Sequence, residues 1–303
     1  MNPMTPVDWR GVFPAITTPF GPDGAVDHEF LAGHIRRLLA SGCRGLVPLG
    51  SLGEAATLSS AEKVAILTTC VAATAGKVPV VAGVSALGTE EAVSLAKAAA
   101  EAGCRGLMVL PPYVYQGDWH EMRSYVSAIL TATPLSCMLY NNPIAYGTDF
   151  LPEQVRTLCE FPNLHAVKES SGDIRRITAL RALLGDRVAL FVGLDDAILE
   201  GVAAGAQGWI AGLVNALPDE SVLLFEHAIA GRTHEARTLY DWFLPLLRLD
   251  TVPKFVQLIK LVQQEVGLGN ERVRAPRLVI SGVEREMVLG LIGERLAHRP
   301  AVS

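Results

Sequence analysis

Leu164-His165-Ala166-Val167-Lys168-Glu169-Ser170-Ser171-Gly172-Asp173 is the stretch from which the fold is read. It begins as a short apolar run and breaks into a polar turn with a glycine. Lys168 stands at the boundary. Short apolar runs bounded by turn residues read as strands covered on both faces. The same grammar recurs at residues 12–17, 45–49, 78–84, 106–110, 135–140, 188–192 and 208–213, making eight strands with 165–168. Helical patterns lie between them, at 28–40, 61–75, 90–102, 119–131, 152–159, 174–184, 197–204 and 219–230. Asp27, Ser59, Ser60 and Thr89 supply N-cap chemistry, and Gly103 a stop.

The strands are continuous apolar runs, with little in/out alternation. Eight such strands, each followed by a helix after a short loop, predict a (β/α)8 TIM barrel. The competing architecture is a doubly wound open sheet. Against it, no glycine-rich phosphate fingerprint follows the first strand, where Phe13-Pro14-Ala15-Ile16-Thr17-Thr18-Pro19-Phe20 runs on instead. Beyond Gly231 no strand intervenes, and 233–247, 253–266 and 284–297 read as helices. The expected organisation is a catalytic barrel over 1–231 and a C-terminal helical region over 232–303.

Composition narrows the function classes. The 303 residues are 50% hydrophobic and 19% charged, enough apolar mass for a large core. A net charge of −5 and the absence of a dense Lys/Arg run argue against a nucleic-acid surface. Cys43, Cys70, Cys104, Cys137 and Cys159 show no CxxC or metal spacing, which reads as small buried thiols in a reducing compartment. Residues 1–10 are polar and lack an apolar signal core, and no stretch of about 18 apolar residues occurs. A cytoplasmic protein that does not span a membrane is the expectation.

Barrel enzymes place chemistry at the C-terminal ends of strands, so the residues following each strand are the candidates. Lys168 comes first. Burial disfavours its ammonium form, and a neutral amine can attack a carbonyl or imine carbon to form a Schiff base. Taken alone, a lysine is usually a surface residue. Gly50-Ser51-Leu52-Gly53-Glu54 follows the second strand and offers backbone N–H groups to a carboxylate, with a hydroxyl on Ser51; a plain Gly/Ser turn is the bland alternative. Tyr140-Asn141-Asn142-Pro143 ends the fifth strand. Tyr140 can carry a proton to or from a Schiff-base centre, or merely plug the barrel. Asn141, Asn142 and Tyr146 are pocket polars by position, unless loop packing uses them. Asp195 or Asp196 caps the next helix or faces the site. Strand alternation points His165 and Glu169 away from Lys168.

With these segments in hand, the chain resembles the dihydrodipicolinate synthase / N-acetylneuraminate lyase superfamily of Schiff-base-forming aldolases, over essentially its whole length. The matching pieces are Gly50-Ser51-Leu52-Gly53-Glu54 (GxxGE), Tyr140-Asn141-Asn142-Pro143 (YNxP) and Lys168-Glu169-Ser170-Ser171-Gly172-Asp173 (K-[DE]-S-[ST]-G-[DN]). The resemblance implies that Lys168 is the Schiff-base lysine, Tyr140 the central acid/base and Ser51 the hydroxyl relaying its proton. It implies that the backbone of Ser51 and Leu52, in the loop that opens at Gly50, binds the substrate carboxylate and that the Ile210 carbonyl faces the site; Asn142 joins the substrate-binding set on position alone. It implies a small-molecule carboxylate substrate, no metal or organic cofactor, and a homotetramer built as a dimer of dimers.

The chain departs from the pattern in places. Dihydrodipicolinate synthases carry an arginine shortly after YNxP, for the second substrate's carboxylate; Pro143-Ile144-Ala145-Tyr146-Gly147-Thr148 has none. The second hydroxyl of the family's GTTGE loop is Leu52, and the neighbour-subunit relay tyrosine position reads Val114, leaving Tyr113 or Tyr115 to replace it. Lys168-Glu169-Ser170-Ser171-Gly172-Asp173-Ile174-Arg175-Arg176, Gly193-Leu194-Asp195-Asp196, Gly205-Ala206-Gln207-Gly208-Trp209 and Tyr240-Asp241-Trp242-Phe243-Leu244-Pro245-Leu246-Leu247 are similar to bacterial 1-pyrroline-4-hydroxy-2-carboxylate deaminases. That likeness implies release of ammonia and 2,5-dioxopentanoate in hydroxyproline degradation. The alternatives are a 2-keto-3-deoxy sugar acid aldolase or dehydratase and, more remotely, a non-catalytic oxoacid sensor.

Overall fold

The computed structural model describes residues 4–301. Among these residues seven parallel strands are formed: β1 (Gly11–Pro14), β2 (Val81–Val84), β3 (Gly106–Val109), β4 (Ser136–Asn141), β5 (Leu164–Glu169), β6 (Ala189–Val192) and β7 (Gly208–Ala211). Their order is β1-β7-β6-β5-β4-β3-β2. The eighth expected strand, 45–49, does not form a continuous ladder. It joins β1 and β2 through single bridges, Ala15 to Val47 and Leu46 to Val80. Its hydrogen bonds still close the ring: Val47 N donates to Pro14 O at 2.8 Å and Val81 N to Leu46 O at 2.8 Å. Two local features cut it short. Pro48 has no N–H to donate, and Leu49 takes a left-handed φ of 64°. The architecture is a (β/α)8 TIM barrel with C-terminal helices.

The helices around it are α1 (His28–Ala40), α2 (Ser60–Thr74), α3 (Thr89–Glu101), α4 (Trp119–Thr131), α5 (Pro143–Tyr146), α6 (Pro152–Leu158), α7 (Arg175–Leu184), α8 (Ile198–Ala203) and α9 (Pro218–Ile229). Then come α10 (Thr233–Leu247), α11 (Phe255–Glu265) and α12 (Gly282–Ala297). Asp27 caps α1 by accepting from Phe30 N, and Ser59 caps α2 in a reciprocal box with Glu62. Thr89 is not a cap; Gly88 holds that place without a side-chain bond, and Thr89 is the first helical residue. The one-turn helix α5, unexpected from sequence, begins at Pro143 because Asn142 caps it, accepting from Ala145 N at 3.0 Å. Among the described residues, no helix is long and apolar enough to cross a membrane.

The core has two layers. Inside the barrel, Trp9, Phe13, Met108, Met138, Phe191 and Ile210 stack below the C-terminal rim. Outside, the other strand faces pack against the helices. Trp9 plugs the floor, its Nε1 donating to Ser136 Oγ at 2.7 Å. His165 joins that floor, sharing a 2.6 Å hydrogen bond with the same hydroxyl. Alternation fails for His165 because the β4–β5 register shifts between Cys137 and Met138.

Candidate active site

A cavity of about 1000 Å³ opens at the C-terminal ends of the strands. Gly50, Ser51, Leu52, Tyr140, Asn142, Lys168 and Ile210 all line it. All seven site residues expected from the sequence therefore meet in one place. β4 and β5 pair in register Tyr140 to Lys168, setting the two side by side on the inward face. Lys168 is only 6% exposed, and its Nζ lies 3.9 Å from the centroid of the Tyr140 ring.

The lysine is suited to nucleophilic work. Burial pushes its pKa from 10.5 down to about 8, opposed by the charges of Asp250 and Asp195. Burial pushes the Tyr140 phenol up to about 12, so it stays protonated at neutral pH, while a bond from Asn142 opposes the rise. Asn142 Nδ2 donates to Tyr140 OH at 2.9 Å. Gly193, just past β6, gives the lysine its room: a Cβ there would sit 2.7 Å from Lys168 Cε.

The hydroxyl contacts differ from the sequence expectation. Ser51 Oγ hydrogen-bonds Tyr146 OH, on α5, instead of handing directly to Tyr140. The Tyr146 ring meets that of Tyr140 edge-on at 5.8 Å and that of Tyr113 at 6.4 Å. Tyr115 turns away, donating to Glu121 Oε1 at 2.6 Å. Asn141 also leaves the pocket. Its amide bridges Glu169 Oε2 at 3.0 Å and Asp149 Oδ1 at 3.1 Å behind the strand. Glu169, as alternation predicts, faces away from Lys168 and accepts from Ser171 N at 2.6 Å. Glu54 is fully buried and takes an ion pair from Lys260 at 2.6 Å, fixing the GxxGE loop to α11.

Two carboxyls complete the electrostatics. Asp195 is no helix cap. It accepts from Trp209 Nε1 at 2.9 Å, Gly212 N at 3.1 Å and Leu213 N at 2.8 Å, which ties the end of β6 to β7. Burial nonetheless raises it to about 6. Asp250 was not singled out from sequence. It lines the cavity from the segment after α10, and burial raises its pKa well above the carboxylate range. One signal was available: an acidic residue just past a helix C-terminus opposes the helix dipole and asks for a reason.

A desolvated lysine at a barrel rim, beside a protonated tyrosine and a glycine-rich turn, is the apparatus of a Schiff-base enzyme. The comparisons agree. The model of the Dihydrodipicolinate synthetase family matches residues 8–294, and the chain belongs to that family. A 4-hydroxy-tetrahydrodipicolinate synthase of Sorangium cellulosum is 33% identical over 98% of this chain and 100% of its own length. One from Haloarcula marismortui is 32% identical over 90% of this chain and 89% of its own. Among solved structures, dihydrodipicolinate synthase from Acinetobacter baumannii complexed with pyruvate superposes with a TM-score of 0.90 at 28% identity, covering 94% of this chain and 98% of that one. The chain is an enzyme of this family, a lyase of the Schiff-base type.

Proposed function

We propose that the enzyme converts 1-pyrroline-4-hydroxy-2-carboxylate and water to 2,5-dioxopentanoate and ammonia. The observation that carries the reading is the cation inventory of the cavity. Where dihydrodipicolinate synthases have an arginine after YNxP, α5 presents Ile144, Ala145 and Tyr146. Two arginines line the cavity among the described residues, and neither lies on α5. Arg175 pairs with Asp173 at 2.7 Å, and Arg277 lies 3.8 Å from Glu54. A substrate with one carboxylate, bound by the Ser51–Leu52 turn, fits better than a pair of substrates with two.

In this mechanism neutral Lys168 attacks C2 of the ring imine, and the ring nitrogen leaves as a free amine on C5. Tyr140 gives its proton to the departing ring nitrogen, and the phenolate left behind takes a proton from C3 to give an enamine. The C4 hydroxyl departs as water. Tautomerisation moves unsaturation to C5, and hydrolysis of the C5 imine and the lysine imine releases the products. Lysine is the electron sink throughout. The working unit is proposed to be a homotetramer, which light scattering would read directly.

The test uses the imine made by oxidising cis-4-hydroxy-D-proline. Stoichiometric ammonia and 2,5-dioxopentanoate are expected. Pyruvate from a 2-keto-3-deoxy sugar acid, without ammonia from the imine, would move the enzyme to the aldolase branch. Ligand-induced thermal shifts with no turnover on any of these would make it a sensor.

A further inference from the structure

Asp250 ends a single 3-10 turn, Arg248–Asp250, directly after α10. The barrel strands supply the lysine and the tyrosine, whereas this carboxyl comes from the C-terminal helices. It lines the cavity together with Lys168, Tyr140 and Ser51. Its Oδ1 is sealed from water yet has no hydrogen-bond partner among the described residues. Asp195 makes the contrast, since its oxygens accept from the Trp209 indole and from two backbone amides. The two acids flank Gly212. Asp195 takes its N–H, and Asp250 lies over its Cα, where a Cβ would fall 2.1 Å from Oδ1. A side chain on residue 212 would therefore evict Asp250 from the cavity.

An ionised carboxylate without donors is costly to bury. Burial is the largest influence against ionisation of Asp250; the charges of Asp195 and Asp196 after β6 add to it, and Lys168 on β5 opposes it. Burial thus favours the protonated form of a carboxyl whose Oδ1 has no hydrogen-bond partner among the described residues.

We propose that Asp250 is the general acid of the reaction, delivering its proton to the hydroxyl that leaves the Lys168-bound substrate. The inference rests on the deaminase reading and concerns its one step with a poor leaving group. In the enamine, the nitrogen lone pair pushes through C2–C3 and the C4–O bond breaks with its electron pair on oxygen. The proton of Asp250 completes the water. Lys168 nitrogen is again an iminium, C3 and C4 are joined by a double bond, and Asp250 is a carboxylate. It recovers its proton from C5: that C–H bond breaks, its pair becomes the C4–C5 double bond, and the iminium is neutralised. Tyr140 is left free to manage the C3 proton.

Asp250→Asn keeps the shape and removes the transferable proton. It orphans no donor on Oδ1, so the fold should survive; Asp250→Ser gives the same comparison if the amide does not fit. Each variant is incubated with the imine from cis-4-hydroxy-D-proline. Ammonia is followed, and the adduct trapped by borohydride is weighed by mass spectrometry. Ammonia release should fall about 10²–10⁴-fold, the usual range for a lost general acid. Trapping should persist, with the trapped adduct still carrying its hydroxyl, and Asp250→Glu should recover part of the rate. Ammonia release within about three-fold of wild type would overturn the role of Asp250 and leave the deaminase reading standing. Loss of trapping together with turnover, at an unchanged thermal midpoint, would overturn it too, by making Asp250 a positioning residue for the lysine. A wild-type enzyme that releases no ammonia overturns both.

Discussion

Gly193→Ala puts the geometry around Lys168 under direct strain. The added Cβ would stand 1.9 Å from Ser170 Oγ, 2.7 Å from Lys168 Cε and 2.9 Å from Lys168 Cγ, where ordinary contact begins at 3.4 Å. The serine can yield. Its Oγ is buried and faces the Tyr140 phenol, and turning it off its rotamer costs about 1 kcal/mol. The lysine stem cannot yield cheaply, because it is 6% exposed and its Nζ rests 3.9 Å from the Tyr140 ring centroid. The methyl group must push the stem aside. A displacement of about 1 Å is worth about 10²-fold in rate, and several tenths of an ångström should cost roughly 10- to 100-fold. Overpacking adds roughly 1–3 kcal/mol of destabilisation, a few degrees in Tm. The assay is the rate of borohydride trapping with the imine made from cis-4-hydroxy-D-proline, beside turnover and a thermal melt. Adding Ser170→Ala to Gly193→Ala relieves the first clash only, so it should return stability but not rate. A Gly193→Ala enzyme that traps and turns over within about two-fold of wild type would refute the claim that this glycine makes room for the lysine.

Lys168→Ala should abolish both turnover and borohydride trapping; near-normal ammonia release from it would sink the Schiff-base mechanism. With Lys168 lowered to about 8, the neutral amine grows about tenfold per pH unit below that value and levels off above it, and adduct formation should follow the same curve in stopped-flow trapping. The sign for stability agrees: between about 8 and 10.5 the unfolded lysine binds more protons than the folded one, so this group's contribution rises with pH there. Tyr146→Phe removes the hydroxyl on Ser51 and should lower kcat more than it changes KM, as steady-state kinetics will read. Lys260→Met leaves the buried Glu54 carboxylate without its 2.6 Å partner and should cost about 3–5 kcal/mol by urea unfolding, with Lys260→Met/Glu54→Gln recovering part of it.

The fold was legible because its signal is local. A strand covered on both faces is apolar along its length, so all eight runs are visible without knowledge of their partners, and seven of them form strands. The site was legible for a related reason. A strand's C-terminal end is fixed by where its apolar run stops, which places Lys168, Tyr140 and the turn at Gly50 on one rim. Helix caps such as Asp27 follow from side-chain chemistry within one turn.

What the tertiary structure decided involves contacts between distant parts of the chain or a count that shifts by one residue. His165 turns inward because a register shift against β4 overrides simple alternation. Tyr146 reaches Ser51 across 95 positions of sequence. Lys260 reaches Glu54 across 206. Asp250 enters the cavity only because α10 and α11 pack where they do, and because Gly212 leaves space for a carboxyl. Periodicity reports which face of an element is buried, not what it is buried against. The lysine was therefore determined by the sequence alone, while the acid beside it was settled by how the C-terminal helices dock on the barrel.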